Sequence, residues 1–195
     1  MKGKKSFISY GRVFILFAFL SLAACATTRS DTYVDPNMDF GIIKTVAVMP
    51  LGNLTRDNLV SERVRDVLIH SLLATGAIYV LPPGEVAKAV VRAEIQNPAA
   101  PSSAEVVKFG EITKVQAVIT GVVREYGEVR SGATFAPVVS IGLQMIETET
   151  GKTVWTASST RGGVTVWHRL FGGGGEPMNV ITEKAVNDLI NKLFK

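Results

Sequence analysis

The chain has 195 residues, 21 Lys and Arg against 17 Asp and Glu, and one cysteine. That length suits one domain with one sizeable core, and a lone cysteine excludes a disulfide framework within the chain. Four of the basic residues, Lys2, Lys4, Lys5 and Arg12, fall in the first 25 positions, which hold no Asp or Glu, so the remainder carries 21 − 4 = 17 basic against 17 acidic residues. The excess charge is therefore a property of the N-terminal segment. Beyond it Lys and Arg are interspersed with Asp and Glu, which excludes a basic surface for nucleic acid.

Those N-terminal basic residues precede the apolar run "VFILFAFLSLAA" and then Cys25, the pattern of a signal peptide covering residues 1–24. The run is too short for a comfortable membrane span. Cys25 directly after "LAA" resembles the bacterial lipobox, which implies that its thiol is lipidated and becomes the new N-terminus. Cys25 then serves as an anchor, since acyl chains contribute roughly 0.8 kcal/mol per buried methylene. Ala26 follows where such lipoproteins carry aspartate for inner-membrane retention, which implies outer-membrane sorting and a periplasmic domain. Residues 25–41, "CATTRSDTYVDPNMDFG", are polar and lack periodic apolar positions, as a short tether would.

The domain expected over residues 42–195 opens with "KTVAVMPL", a buried strand bounded by Pro50 and Gly52. Leu59, Val60, Val64, Val67, Leu68, Ile69 and Leu72 then recur at helical spacing up to Gly76. "AIYVL" returns as a strand and completes a β-α-β unit. A second helix is expected from Pro83, and a third after Ser102, where Glu105 completes a capping box. "VQAVITGVVREYGEV" reads as a long strand in which Gly121 is a candidate bulge. Two further strands join through "TETGK", with Gly151 available for positive φ. Val180, Ile181, Ala185, Val186, Leu189, Ile190 and Leu193 mark a final amphipathic helix. The order β-α-β-α-α-β-β-β-α implies one α/β (α+β) domain with a mixed sheet of about five strands flanked by about four helices.

Catalytic and metal patterns are sparse. The two histidines, His70 and His168, cannot form a zinc motif, and His70 is expected to be a partly buried structural residue of the first helix. No nucleophile elbow, phosphate loop or dinucleotide fingerprint occurs, and "FGGGGEP" lacks the Lys-Ser/Thr that phosphate loops need. Glu125 and Glu128 flank a strand end, where carboxylates ordinarily mark a solvated edge; a periplasmic hydrolase using one of them is the enzymatic alternative. The chain is therefore expected not to be an enzyme and to need no cofactor and no metal. Trp155 is expected in the core. "TVWHRLFGGGGEP" sets Trp167, Arg169, Leu170 and Phe171 just before four glycines. Either these side chains fold back over the sheet or they form a contact loop, since aromatics and arginine are favoured at interface hot spots.

Taken together, "VAVMPLGNLT", "SERVRDVLIHSLLATG" leading into "YVLP", "VQAVITGVVREYG" and "VSIGLQMIETETGKTVWTASSTRGG" resemble the superfamily of the curli secretion channel lipoprotein (CsgG-like) and the penicillin-binding-protein activator lipoprotein (LpoB-like). The resemblance spans most of the chain after the tether. It implies a non-catalytic, outer-membrane-anchored periplasmic lipoprotein that acts by protein–protein contact in envelope assembly or secretion, with envelope proteins or further copies of itself as partners. Channel members carry two membrane-spanning hairpins where this chain has "GEVRSGATFAP" and "GVTVWHRLFGGGGEP". A spanning hairpin needs two strands of about 9 to 11 residues, so neither segment spans. The contact surface is expected at Trp167, Arg169, Leu170 and Phe171, with Tyr126 and Arg130 at the other shortened hairpin. Activator members imply the alternative of a peptidoglycan synthase regulator, although the tether here is short.

Overall fold

The computed structural model describes residues 32–131, 134–162 and 176–194. Along them run β1 (Thr32–Val34), a 3-10 turn (Phe40–Ile42), β2 (Thr45–Val48), β3 (Gly52–Asn53), α1 (Val60–Ala74), β4 (Tyr79–Val80), α2 (Pro83–Arg92) and α3 (Ser103–Thr113). β5 (Ala117–Ser131), β6 (Thr134–Glu147), β7 (Thr153–Gly162) and α4 (Met178–Leu193) complete the fold. One mixed seven-stranded sheet has the order β1-β7-β6-β5-β2-β4, with β3 also paired to β5. β2 is parallel to β4 and β5, whereas β5, β6, β7 and β1 are successively antiparallel. This is the mixed α/β domain expected from the sequence, with two more strands than anticipated.

Both faces of the β2 region are covered. Val46, Val48, Ile119, Ile141, Leu143 and Met145 pack with Val64 and Leu68 of α1 and with Ile181, Val186 and Leu189 of α4. On the opposite face, Ala47, Met49, Val118 and Ile146 pack with Val86 and Ala89 of α2 and with Val106 and Phe109 of α3. Near-continuous apolar runs such as "TVAV" follow from burial on two sides. Trp155 lies in the first core at 2 % exposure, and its Nε1 donates to the Lys192 carbonyl at 3.4 Å.

The local signals account for several boundaries. Ser102 and Glu105 form the expected capping box at α3, and Pro82 and Pro83 open α2. Gly151 turns the β6–β7 connection at φ 70°. Gly121, in contrast, sits in regular register opposite Leu143, and the bulge falls between Val123 and Glu125. A Cβ at position 121 would collide with the Gly142 carbonyl oxygen, so the glycine is there for close strand approach. His70 is exposed on α1, contrary to the partly buried role expected of it. Part of the expected tether also has a definite place: Thr32, Tyr33 and Val34 pair with Ala157, Thr156 and Trp155 of β7. An isolated three-residue strand has no periodicity to read, so its pairing arises from the open edge of β7.

Candidate interaction surface

α2 and α3 cover only part of their face of the sheet. Across β5, β6 and β7 the remainder is a shallow cleft of about 510 Å³. Alternation along the strands builds it: on β6, Ile141, Leu143 and Met145 face the core while Ser140, Gly142 and Gln144 occupy the alternate positions, and on β7 Thr156 and Ser158 do the same. The bulge after Val123 brings Arg124 onto this surface, where its guanidinium lies against Gly142 so closely that a Cβ there would meet it. The rim is held from below, because the Thr120 hydroxyl donates to the Ala99 carbonyl at 2.8 Å. Ser140 and Thr160 share a hydroxyl contact of 2.9 Å on the same side. The result is a cation among hydroxyls and an amide, suited to polar contact.

Beyond Val138, which pairs with Gly162 at the end of β7, β5 and β6 continue as a two-stranded ribbon to Ser131 and Thr134. Phe135 and Val129 are 64 % and 48 % exposed on it. Their partners are Arg130 and Ala136, so successive pairs put the two apolar side chains on opposite faces of the ribbon. Glu125 pairs with Ser140 and Glu128 with Pro137; the two carboxylates are exposed and on opposite faces, and they form no acid–base couple with each other.

Of the residues singled out from sequence, Tyr126 is half-buried against the core, with its hydroxyl 3.4 Å from Thr182 Oγ1 at the start of α4. Arg130 is placed in the ribbon by its backbone pairing with Phe135. Cys25, Trp167, His168, Arg169, Leu170 and Phe171 lie outside the described residues. Arg124, Gln144, Thr156 and Ser158 were missed. The signal for Gln144, Thr156 and Ser158 is the two-residue alternation in "VVSIGLQMI" and "TVWTASST", which separates a buried face from a polar one; Arg124 depends on the bulge after Val123, which the sequence does not mark.

On the α4 side of β7, Asp188 binds Arg161 at 2.7 Å and Lys192 at 3.1 Å. Lys192 also donates to the Ser158 carbonyl at 2.7 Å. Burial pushes the Asp188 carboxyl up, but the facing Ser159 hydroxyl, the Lys192 ammonium and the Arg161 charge together hold it below its usual range. The Ser159 hydroxyl is buried and makes no hydrogen bond of normal geometry among the described residues. Among the described residues no group of three or more His, Cys, Asp or Glu side chains is arranged to hold a metal ion, and no helix is long and apolar enough to cross a membrane.

No family model matches the chain, and no curated protein matches it. Solved structures do. A PelC dodecamer from Paraburkholderia phytofirmans aligns with TM-score 0.56 and 16 % identity, over 83 % of this chain and 94 % of that one. The chain shares the fold of PelC. Lipoprotein GNA1162 from Neisseria meningitidis aligns with TM-score 0.50 and 21 % identity, over 76 % of this chain and 99 % of that one. The LpoB C-terminal domain from Salmonella enterica aligns with TM-score 0.48 and 16 % identity, over 65 % of this chain and 87 % of that one.

Proposed function

We propose that this chain is a non-catalytic lipoprotein of the bacterial envelope, anchored to the outer membrane through Cys25, and that it works by protein–protein contact in assembly or secretion as a homo-oligomer. The observation that carries the reading is the cleft over β5, β6 and β7. It combines the Arg124 guanidinium with Gln144, Thr156 and Ser158 in a shallow, open arrangement, which suits a protein surface better than an enclosed substrate. Support comes also from the shared fold, since PelC is a dodecamer and GNA1162 a lipoprotein. Trp167, Arg169, Leu170 and Phe171, with Arg130 in the ribbon, are the further contact residues in this reading, whereas Tyr126, expected among them, packs half-buried against the core. The CsgG-like likeness is carried here without its pore, because the hairpin segments are short.

Mild detergent extraction followed by light scattering tests it. The expected result is a particle of several copies, and introducing Thr156→Arg together with Ser158→Arg should reduce it to a monomer of unchanged circular dichroism. A monomeric wild-type protein would overturn the assembly and turn attention to the synthase-regulator alternative.

A further inference from the structure

We infer that copies of this chain join sheet edge to sheet edge, with β1 of one copy pairing antiparallel to β4 of the next. The inference rests on the homo-oligomer reading above and names the surfaces through which the copies meet. β1 and β4 stand at the two ends of the strand order, and edge strands present backbone groups ready to pair with another chain. The directions fit. β4, β2 and β5 run parallel, and β6, β7 and β1 then alternate, so β1 runs opposite to β4. A second copy set beside the first in the same orientation therefore brings its β4 antiparallel to β1.

Backbone polarity and side-chain facing select one register. Asp35 N donates to the Val154 carbonyl at 2.8 Å, so Asp35 and Tyr33 turn their backbone groups toward β7 and Val34 turns its own outward. In β4, Tyr79 N and Leu81 N donate to the Lys44 and Val46 carbonyls, both at 2.8 Å, and Val80 is the residue turned outward. Val34 and Val80 are therefore placed to exchange two hydrogen bonds. Their side chains agree, because residues directly opposite share a face of the sheet. Val80 belongs to the core under α1 and α4, and Val34 pairs with Trp155 of that same core. With Val34 opposite Val80, Tyr33 falls opposite Leu81 on the face that carries α2 and α3.

Leu81 opens onto a receptor for that side chain. Leu81, Val91 and Ile112 line a groove of about 530 Å³ together with Lys88 and Arg92. Lys88 is paired with Glu85 at 2.9 Å, and Arg92 is the cation available to an aromatic ring. Tyr33, 49 % exposed on its own copy, offers an apolar ring for the groove and a hydroxyl for its polar rim. The contact is heterologous, since each copy gives one edge and receives on the other, and successive copies close as a ring or extend as a filament. It also adjoins the cleft. Tyr33 pairs with Thr156, so the neighbour's β4 and α2 come to stand along the β7 side of that surface.

Cysteine crosslinking of the detergent-extracted full-length protein tests the register. Tyr33 and Leu81 form a non-hydrogen-bonded pair in it, with Cα atoms about 4.5 Å apart, within the range of about 4.4 to 6.8 Å that a disulfide needs. Under mild oxidation, Tyr33→Cys with Leu81→Cys in one chain should give a ladder of crosslinked species beyond the dimer, several-fold above the wild-type background set by Cys25. Co-expressed chains carrying Tyr33→Cys and Leu81→Cys separately should stop at the dimer, and Tyr33→Cys with His70→Cys on α1 should give no ladder. Val34→Pro removes the outward N–H without touching the bonds to β7, and by light scattering it should reduce the particle to a monomer of unchanged circular dichroism. A multi-copy particle without the ladder, or one that survives Val34→Pro, would overturn the edge pairing while leaving the assembly standing. Dimers from Tyr33→Cys alone would mean that β1 pairs with β1, which overturns it too. A monomeric wild-type protein would overturn the pairing and the assembly together.

Discussion

Asp188 lies where burial and charge pairing oppose each other, and the pairing prevails. With Arg161 and Lys192 at 2.7 and 3.1 Å and the Ser159 hydroxyl facing it, its carboxyl titrates below the ordinary value of 3.8. A depressed folded-state pKa contributes stability that is fully present above the unfolded value and is lost as pH falls through the folded one. Asp188→Asn should therefore lower stability at neutral pH, by about 0.5 to 1 kcal/mol after allowance for solvent screening. Thermal melts of the two proteins should converge as pH is lowered below the ordinary carboxylate value. Gly121 makes the complementary case, where space decides and charge has no part. Gly121→Ala drives a methyl into the Gly142 carbonyl, and the expected loss is about 1 to 3 kcal/mol by urea denaturation.

At the scale of elements, helix α1 is joined to strand β2 by more than apolar packing. Arg65, 8 % exposed, donates Nε and an Nη to the Val48 carbonyl at 3.1 and 2.8 Å, which satisfies an acceptor at the end of β2. Arg65→Leu keeps much of the packing but leaves that carbonyl unpaired, and a charged-group hydrogen bond of this kind is worth about 1.5 to 3 kcal/mol. A loss of that size in urea unfolding is the expected outcome. A charged residue on the buried side of an amphipathic helix was readable in "SERVRDVLIHSLL" as an exception to the apolar pattern, but its partner was not. Val48 is 17 positions away, and only the parallel β-α arrangement brings the two together. β1 illustrates the same limit, because three residues of a polar segment gain their strand conformation from β7.

At the scale of the molecule, assembly is the property that the open cleft over β5, β6 and β7 controls in the proposed reading. Arg124→Glu reverses the charge of that surface without entering the core, so light scattering should show a smaller particle while circular dichroism stays as it was. An unchanged particle would remove the cleft from the assembly interface.

The amino-acid sequence by itself determined the kinds of element and most of their order. Helical spacing in α1 and α4, the Ser102–Glu105 capping box, the prolines before α2 and the glycine in the β6–β7 turn are local features, and they act over a few residues wherever the chain goes. Tertiary structure alone decided which surface remained uncovered. α2 and α3 pack only near β2, so the polar positions of β6 and β7 form an open cleft instead of a buried layer. It also decided that Thr32–Val34 join the sheet as an edge strand, because strand pairing is a long-range hydrogen-bonding choice that residues such as Thr32 and Tyr33 do not announce.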